Sequence, residues 1–150
     1  RVAERLNRQF PMDRTRQYFT CVYGVFDGSQ GRFDYVLAGH PAPILLPRTG
    51  PPAPLHGSGL PIGMIETATF ADESVILQPG DRLYFYTDGV VEALDASEQE
   101  FGSLRLMAEI DRLRDRPLRE GLDHVANLVQ EWSGDRLRDD VSLLAVERMD

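Results

Sequence analysis

"RLYFYTDGVVEAL" occupies residues 82–94, and its reading decides the fold. Arg82 to Thr87 mix aromatic and aliphatic side chains without alternation, the pattern of a strand buried on both faces. After Asp88 the periodicity changes, and residues 89–96 read as one helical turn or two. A carboxylate at such a junction is open to four readings: turn residue, helix cap, covalent nucleophile or metal ligand.

Working outward, "PGD" (79–81) is a turn and "SVILQ" (74–78) a preceding strand. Further upstream, "YFTCVYGVF" (18–26) and "RFDYVLAG" (32–39) flank the turn "DGSQG" (27–31), a β-hairpin. "PAPILLP" (41–47) supplies a short strand, and residues 48–63 are rich in Gly and Pro, hence loop. Downstream, 103–113 places Leu104, Met107, Ile110 and Leu113 on one helical face. Residues 118–132 do the same with Leu118, Leu122, Val125, Leu128 and Val129. "DDVSLLAVE" (139–147) closes the chain as a strand, and Val2, Leu6 and Phe10 mark the end of an amphipathic helix over 1–10. Strands, then helices, then a returning strand predict an α+β fold with helices on an antiparallel sheet.

Composition narrows the function. A net charge of −8 argues against a general nucleic-acid binder, which needs a basic surface to displace counterions. No apolar run reaches the length of about 18 residues that a membrane helix requires. The single cysteine, Cys21, has no internal disulfide partner, and the charged start is not a signal peptide, so a cytoplasmic setting is expected.

Several motifs fail on chemistry. A haloacid-dehalogenase-type phosphatase needs a nucleophilic Asp two residues before Asp88, where Tyr86 stands. "DGSQGRFD" lacks the glycine and closing Glu of a calcium loop, and "GSGLPIG" is neither a P-loop nor a dinucleotide fingerprint. No GxSxG is present, and His40, His56 and His124 lack zinc-ligand spacing. His40, held between a strand and two prolines, reads as a hydrogen-bonded turn residue. "RDD" (138–140) is the second acidic signal: adjacent carboxylates repel and call for a cation or for Arg138, or else form an exposed loop. If the strands next to Asp88 and Asp139 pair antiparallel, both carboxylates face one place, an all-oxygen setting suited to Mg²⁺ or Mn²⁺.

The ordered series "YFTCVYGVFD", "FDYVLAGHPAPILL", "GLPIGM", "LQPGDRLYFYTDGVVEA", "FGSLRL" and "DDVSLLAVE" resembles the C-terminal part of the SpoIIE-type metal-dependent protein phosphatases, the PPM family. The resemblance runs through nearly the whole chain, and the series is specific where any one piece is weak. It implies a β-sandwich flanked by helices in α-β-β-α layers, with two Mn²⁺ or Mg²⁺ ions at one edge. It implies Asp88 and Asp139 as metal ligands, Gly89 as a close backbone approach, and Asp140 as a water-holding or loop-orienting residue. Two metals about 4 Å apart would neutralise a phosphate monoester and activate a water without any covalent phosphoenzyme. The implied substrates are phosphoserine or phosphothreonine proteins, such as bacterial anti-sigma-factor antagonists.

The family's upstream acidic motifs, a GGD segment and a D-x-x-GHG segment, do not occur here. The N-terminal part of the domain is therefore expected to be missing, residues 1–150 being its C-terminal portion. The carboxylates of residues 1–150 alone should bind metal poorly and hydrolyse little. Exposed strand edges would favour a homodimer if these residues are the whole molecule. A phosphatase-like module that binds a signalling partner without catalysis is the alternative.

Overall fold

The structure is a computed structural model, and it describes residues 2–134 and 136–149. In chain order the elements are α1 (Val2–Gln9), α2 (Met12–Thr15), β1 (Cys21–Asp27), β2 (Arg32–Ala38), β3 (Ile44–Leu46), β4 (Ala53–Pro54), β5 (Glu73–Ile76), β6 (Arg82–Tyr86), α3 (Asp88–Val91), α4 (Ser103–Arg112), α5 (Leu118–Ser133) and β7 (Leu143–Glu147). They form two compact units, one from Arg1–Ala42 with Leu55–Leu77, the other from Pro43–Pro54 with Gln78–Asp150. The expected α+β class with antiparallel sheets and helices is what is found.

The first unit holds a three-stranded antiparallel sheet in the order β1-β2-β5. The hairpin pairs Cys21 with Ala38 at one end and Asp27 with Arg32 at the other. Its turn is fixed by Asp27, whose Oδ1 accepts the Ser29 amide at 2.9 Å and the Ser29 hydroxyl at 2.6 Å. Ala3, Val36, Ala38, Ile62 and Phe70 make the core, with Leu6 and Cys21 at its margin.

The buried face of α1 departs from the sequence expectation. Val2 and Phe10 are exposed, while Ala3 and Asn7 are buried. Asn7 faces inward because it is fully used. Its Nδ2 donates to the Ile65 and Glu66 carbonyls at 2.9 and 3.0 Å, and its Oδ1 accepts the Gly63 amide at 2.7 Å. Gly63 has φ +86°, and a Cβ there would lie 2.1 Å from the Phe10 carbonyl oxygen. The "PIG" motif is thus a packing device: only glycine allows this backbone contact.

The second unit holds a four-stranded antiparallel sheet in the order β4-β3-β6-β7. β6 is paired on both sides, with β3 through Ile44–Tyr84 and with β7 through Tyr86–Leu143. Successive residues of β6, which point to opposite faces, are buried apart from the half-buried Phe85, and that accounts for its unalternating sequence. On one face, Ile44, Leu46, Tyr84 and Tyr86 pack with Val90, Phe101, Leu106, Ile110, Val125 and Val129. The Arg105 guanidinium lies 3.7 Å from the centre of the Trp132 ring, and the Trp132 indole N–H donates to the Gln99 carbonyl at 3.1 Å. Together they fasten the segment after α3 to the helices.

Three further expectations are corrected. Leu104 is 79% exposed and Leu106 takes its place in the core, because two helical steps carry them to nearly opposite sides of α4. The Gly/Pro-rich loop contains the two-residue strand β4, paired to β3. The last strand begins at Leu143, four residues later than the sequence indicates.

Candidate metal centre

The antiparallel pairing of β6 with β7 is the step on which convergence of the aspartates depends. The last paired position is Tyr86 with Leu143, so the chain leaving β6 and the chain entering β7 run side by side. Beyond it the pairing is continued by one backbone bond and by a side chain. The Thr87 amide donates to the Ser142 carbonyl at 3.1 Å. The Thr87 hydroxyl donates to the Asp140 carbonyl at 2.8 Å and accepts the Ser142 amide at 2.9 Å. Thr87 stands at the N-cap position of α3 but makes no side-chain cap bond. Its hydroxyl is committed across the strands instead. This is why residues 139–142 form a loop stapled to β6 rather than the first residues of β7.

Asp88 is the first residue of α3, and its Oδ1 accepts the following Gly89 amide at 3.0 Å. Asp139 makes the matching contact, its Oδ1 accepting the Asp140 amide at 2.7 Å. Asp88, Asp139 and Asp140 are exposed, whereas Gly89 is buried. A Cβ on Gly89 would stand 2.6 Å from the Asp140 carbonyl oxygen and 3.3 Å from the Asp139 carbonyl carbon. The Asp88–Gly89 turn is therefore in direct contact with the 139–140 backbone, and no larger residue fits between them. The structure brings all four sequence-predicted residues to one end of the β6–β7 pair.

Sequence reasoning missed Thr87 and Ser142, which hold the two segments together. A hydroxyl residue directly before an Asp-Gly step was the available signal, and it read as part of the strand. The other highlighted motifs have structural roles. His40 Nδ1 lies 3.1 Å from the Thr20 hydroxyl. Asp81 of "PGD" is buried, its carboxylate accepting the Arg48 amide at 2.7 Å and the Gln78 amide at 2.8 Å. Burial pushes the Cys21 thiol above its usual range, away from nucleophilic character.

In donor type the acidic end suits a hard divalent cation: exposed carboxylates on contacting segments, with backbone carbonyls beside them. In number the described residues fall short of a site. Among the described residues, no group of three or more His, Cys, Asp and Glu side chains is placed to hold a metal. Nor is any helix among them long and apolar enough to cross a membrane.

Comparison with known proteins agrees with this architecture. Protein IcfG of Synechocystis sp. is 30% identical over 138 residues, which are 87% of this chain and 21% of that protein. Phosphoserine phosphatase RsbP of Bacillus subtilis is 38% identical over 80 residues, 53% of this chain and 20% of that protein. The chain thus spans about a fifth of the length of these relatives. The crystal structure of the RsbU and RsbW domains of Rv1364c from Mycobacterium tuberculosis superposes with a TM-score of 0.79 at 27% identity, covering 97% of this chain and 40% of that one. The family model of stage II sporulation protein E, SpoIIE, matches residues 1–149. The chain belongs to the SpoIIE family.

Proposed function

We propose that this chain is the C-terminal portion of a Mn²⁺- or Mg²⁺-dependent protein serine/threonine phosphatase domain, the output module of a bacterial signalling protein. One observation carries the reading most directly. Gly89 fits against the 139–140 backbone so closely that the Asp88- and Asp139-bearing segments are locked together at one sheet end. Membership of a family generally dependent on these metals supports it, as does similarity to a protein called a phosphoserine phosphatase.

In this reading Asp88 and Asp139 are metal ligands, the Gly89 backbone lies beside the ion, and Asp140 orients the loop or holds a water. Bound there, the metal would neutralise phosphate charge and supply the activated water for hydrolysis. The chain's own task would be to hold the two aspartate-bearing segments in register, a role that the Thr87 bonds to the Asp140 and Ser142 backbone support. The substrate is a phosphoserine or phosphothreonine protein, an anti-sigma-factor antagonist being the leading candidate.

The test is Asp88→Asn in the intact protein, assayed on a phosphoserine peptide with Mn²⁺ while its melting temperature is followed. Turnover should fall strongly with the fold unchanged. Unchanged turnover would remove Asp88 from the site. An intact protein that binds a phosphoprotein but never hydrolyses it would favour the non-catalytic binding module.

A further inference from the structure

We propose a second, non-catalytic site for a phosphate-type anion in the arginine-lined cleft at the opposite end of the β6–β7 pair. The cleft has a volume of about 300 Å³, and Arg48, Arg82, Arg114 and Arg148 line it with only Asp115 and Glu147 as acids. This concentration of cations stands in a chain of net charge −8. Arg82 pairs with Glu147 at the first position of β6, whereas Asp88 lies beyond the last. Four strand steps alone separate the two ends by roughly 13 Å, so one phosphate cannot occupy both.

The cleft is held by a framework. Arg82 is only 8% exposed; its Nε donates to Glu147 Oε2 at 2.8 Å and its Nη2 to the Arg116 carbonyl at 2.9 Å. Its Nη1 is buried and has no hydrogen-bond partner among the described residues. Arg114 is anchored by Asp111 and donates to the Pro47, Arg48 and Gly50 carbonyls, which fixes the loop carrying Arg48. The buried Asp81 carboxylate holds the Arg48 amide, while the Asp81 and Gly80 backbones pair with Arg148. Arg48 and Arg148 are thus set on opposite sides of a floor formed by Arg82. The exposed Arg48 guanidinium makes no bond of its own among the described residues.

The lining favours a small oxyanion. It has no aromatic side chain on which a base would stack, and its exposed surface is mostly polar. Guanidinium forks match phosphate oxygens in pairs, and a buried arginine lacking one partner deepens the local positive potential. The cleft lies apart from Asp88 and does not rest on the chain being a phosphatase.

The test uses the intact protein in EDTA, which removes divalent ions from the acidic end. Inorganic phosphate is titrated at constant ionic strength while arginine Nε–H resonances are followed by NMR. Saturable shifts of the Arg48, Arg114 and Arg148 resonances are expected. Arg48→Gln, an exposed change, should weaken the response about tenfold without lowering the melting temperature. Absence of saturation would overturn the site, and an unchanged affinity in Arg48→Gln would overturn its location. An equal response to succinate would overturn its assignment to phosphate. Failure of the phosphatase assay with saturable phosphate binding intact would sink the proposed function and leave this site standing.

Discussion

The Thr87 hydroxyl donates a 2.8 Å hydrogen bond to the backbone carbonyl of Asp140, across 53 residues of chain. It also accepts the Ser142 amide, so one side chain does what two ladder bonds would otherwise do. Thr87→Val keeps the shape and removes both bonds. Positioning groups of this kind typically contribute 10–100-fold to metal affinity or activity, and a loss of about that size is expected here. Mn²⁺ titration calorimetry of the intact protein measures it, and Thr87→Ser should restore most of the loss because it returns the hydroxyl.

Gly89→Ala tests the close approach itself. The added carbon would begin 2.6 Å from the Asp140 carbonyl oxygen, a backbone atom that cannot swing aside as a flexible side chain could. The two segments must separate. Overpacking of this kind costs about 1–3 kcal/mol, read as a lower denaturation midpoint, and under the proposed function turnover of a phosphoserine peptide by the intact protein should fall with it. A variant with full stability and full turnover would show that the two segments need not touch.

Much of this architecture was legible because it depends on local pattern. The hairpin of β1 and β2 follows from alternation around "DGSQG", and the central place of β6 from its unbroken apolar run. The antiparallel meeting of β6 and β7 then placed Asp88 and Asp139 at one end. What was not legible depends on partners distant in sequence. Asn7 reads as a polar helix residue until the amide and carbonyls of residues 63–66 arrive to use it. The start of β7 cannot be read because the Thr87 hydroxyl, beside a single backbone bond to Ser142, binds residues 140 and 142. Leu104 and Leu106 are equally apolar, and only the position of the sheet beneath α4 decides which is buried.

That last distinction gives a direct comparison. Leu106 is 1% exposed within the core of the second unit, so Leu106→Ala should cost about 2–5 kcal/mol through lost transfer energy and a residual cavity. Leu104→Ala, at a largely exposed position, should stay within about 0.5 kcal/mol of the parent. Chemical denaturation of both variants decides between this helix face and the one the sequence indicates.

Asn7→Leu probes the pin between α1 and the "PIG" loop. The Ile65 and Glu66 carbonyls belong to exposed residues and can turn to water, but the buried Gly63 amide would lose its acceptor. One unpaired buried donor costs about 1–3 kcal/mol. Hydrogen exchange at Gly63 should rise along with the loss of stability; protection equal to the parent's would show that another acceptor takes over.

Glu109 links α4 to α5. Its carboxylate accepts the Arg112 guanidinium, and the His124 ring stands 3.3 Å away. The Arg112 hydrogen bond, first, holds its pKa below the ordinary carboxylate value; burial opposes this, and the charge of Arg112 and contact with His124 add to it. A pKa lower in the folded than in the unfolded chain means that the folded state favours the ionised form. The resulting stabilisation is therefore complete above the unfolded value of about 4.3 and fades as pH falls through the lower folded value. Glu109→Gln should be less stable than the parent near neutrality, and the difference should shrink below that range. Because the Arg112 side of the pair is exposed to solvent, added salt should shrink it too. Melting temperatures of both proteins across the acid range read this directly, and a gap that widens on acidification would show that Glu109 is held in its protonated form instead.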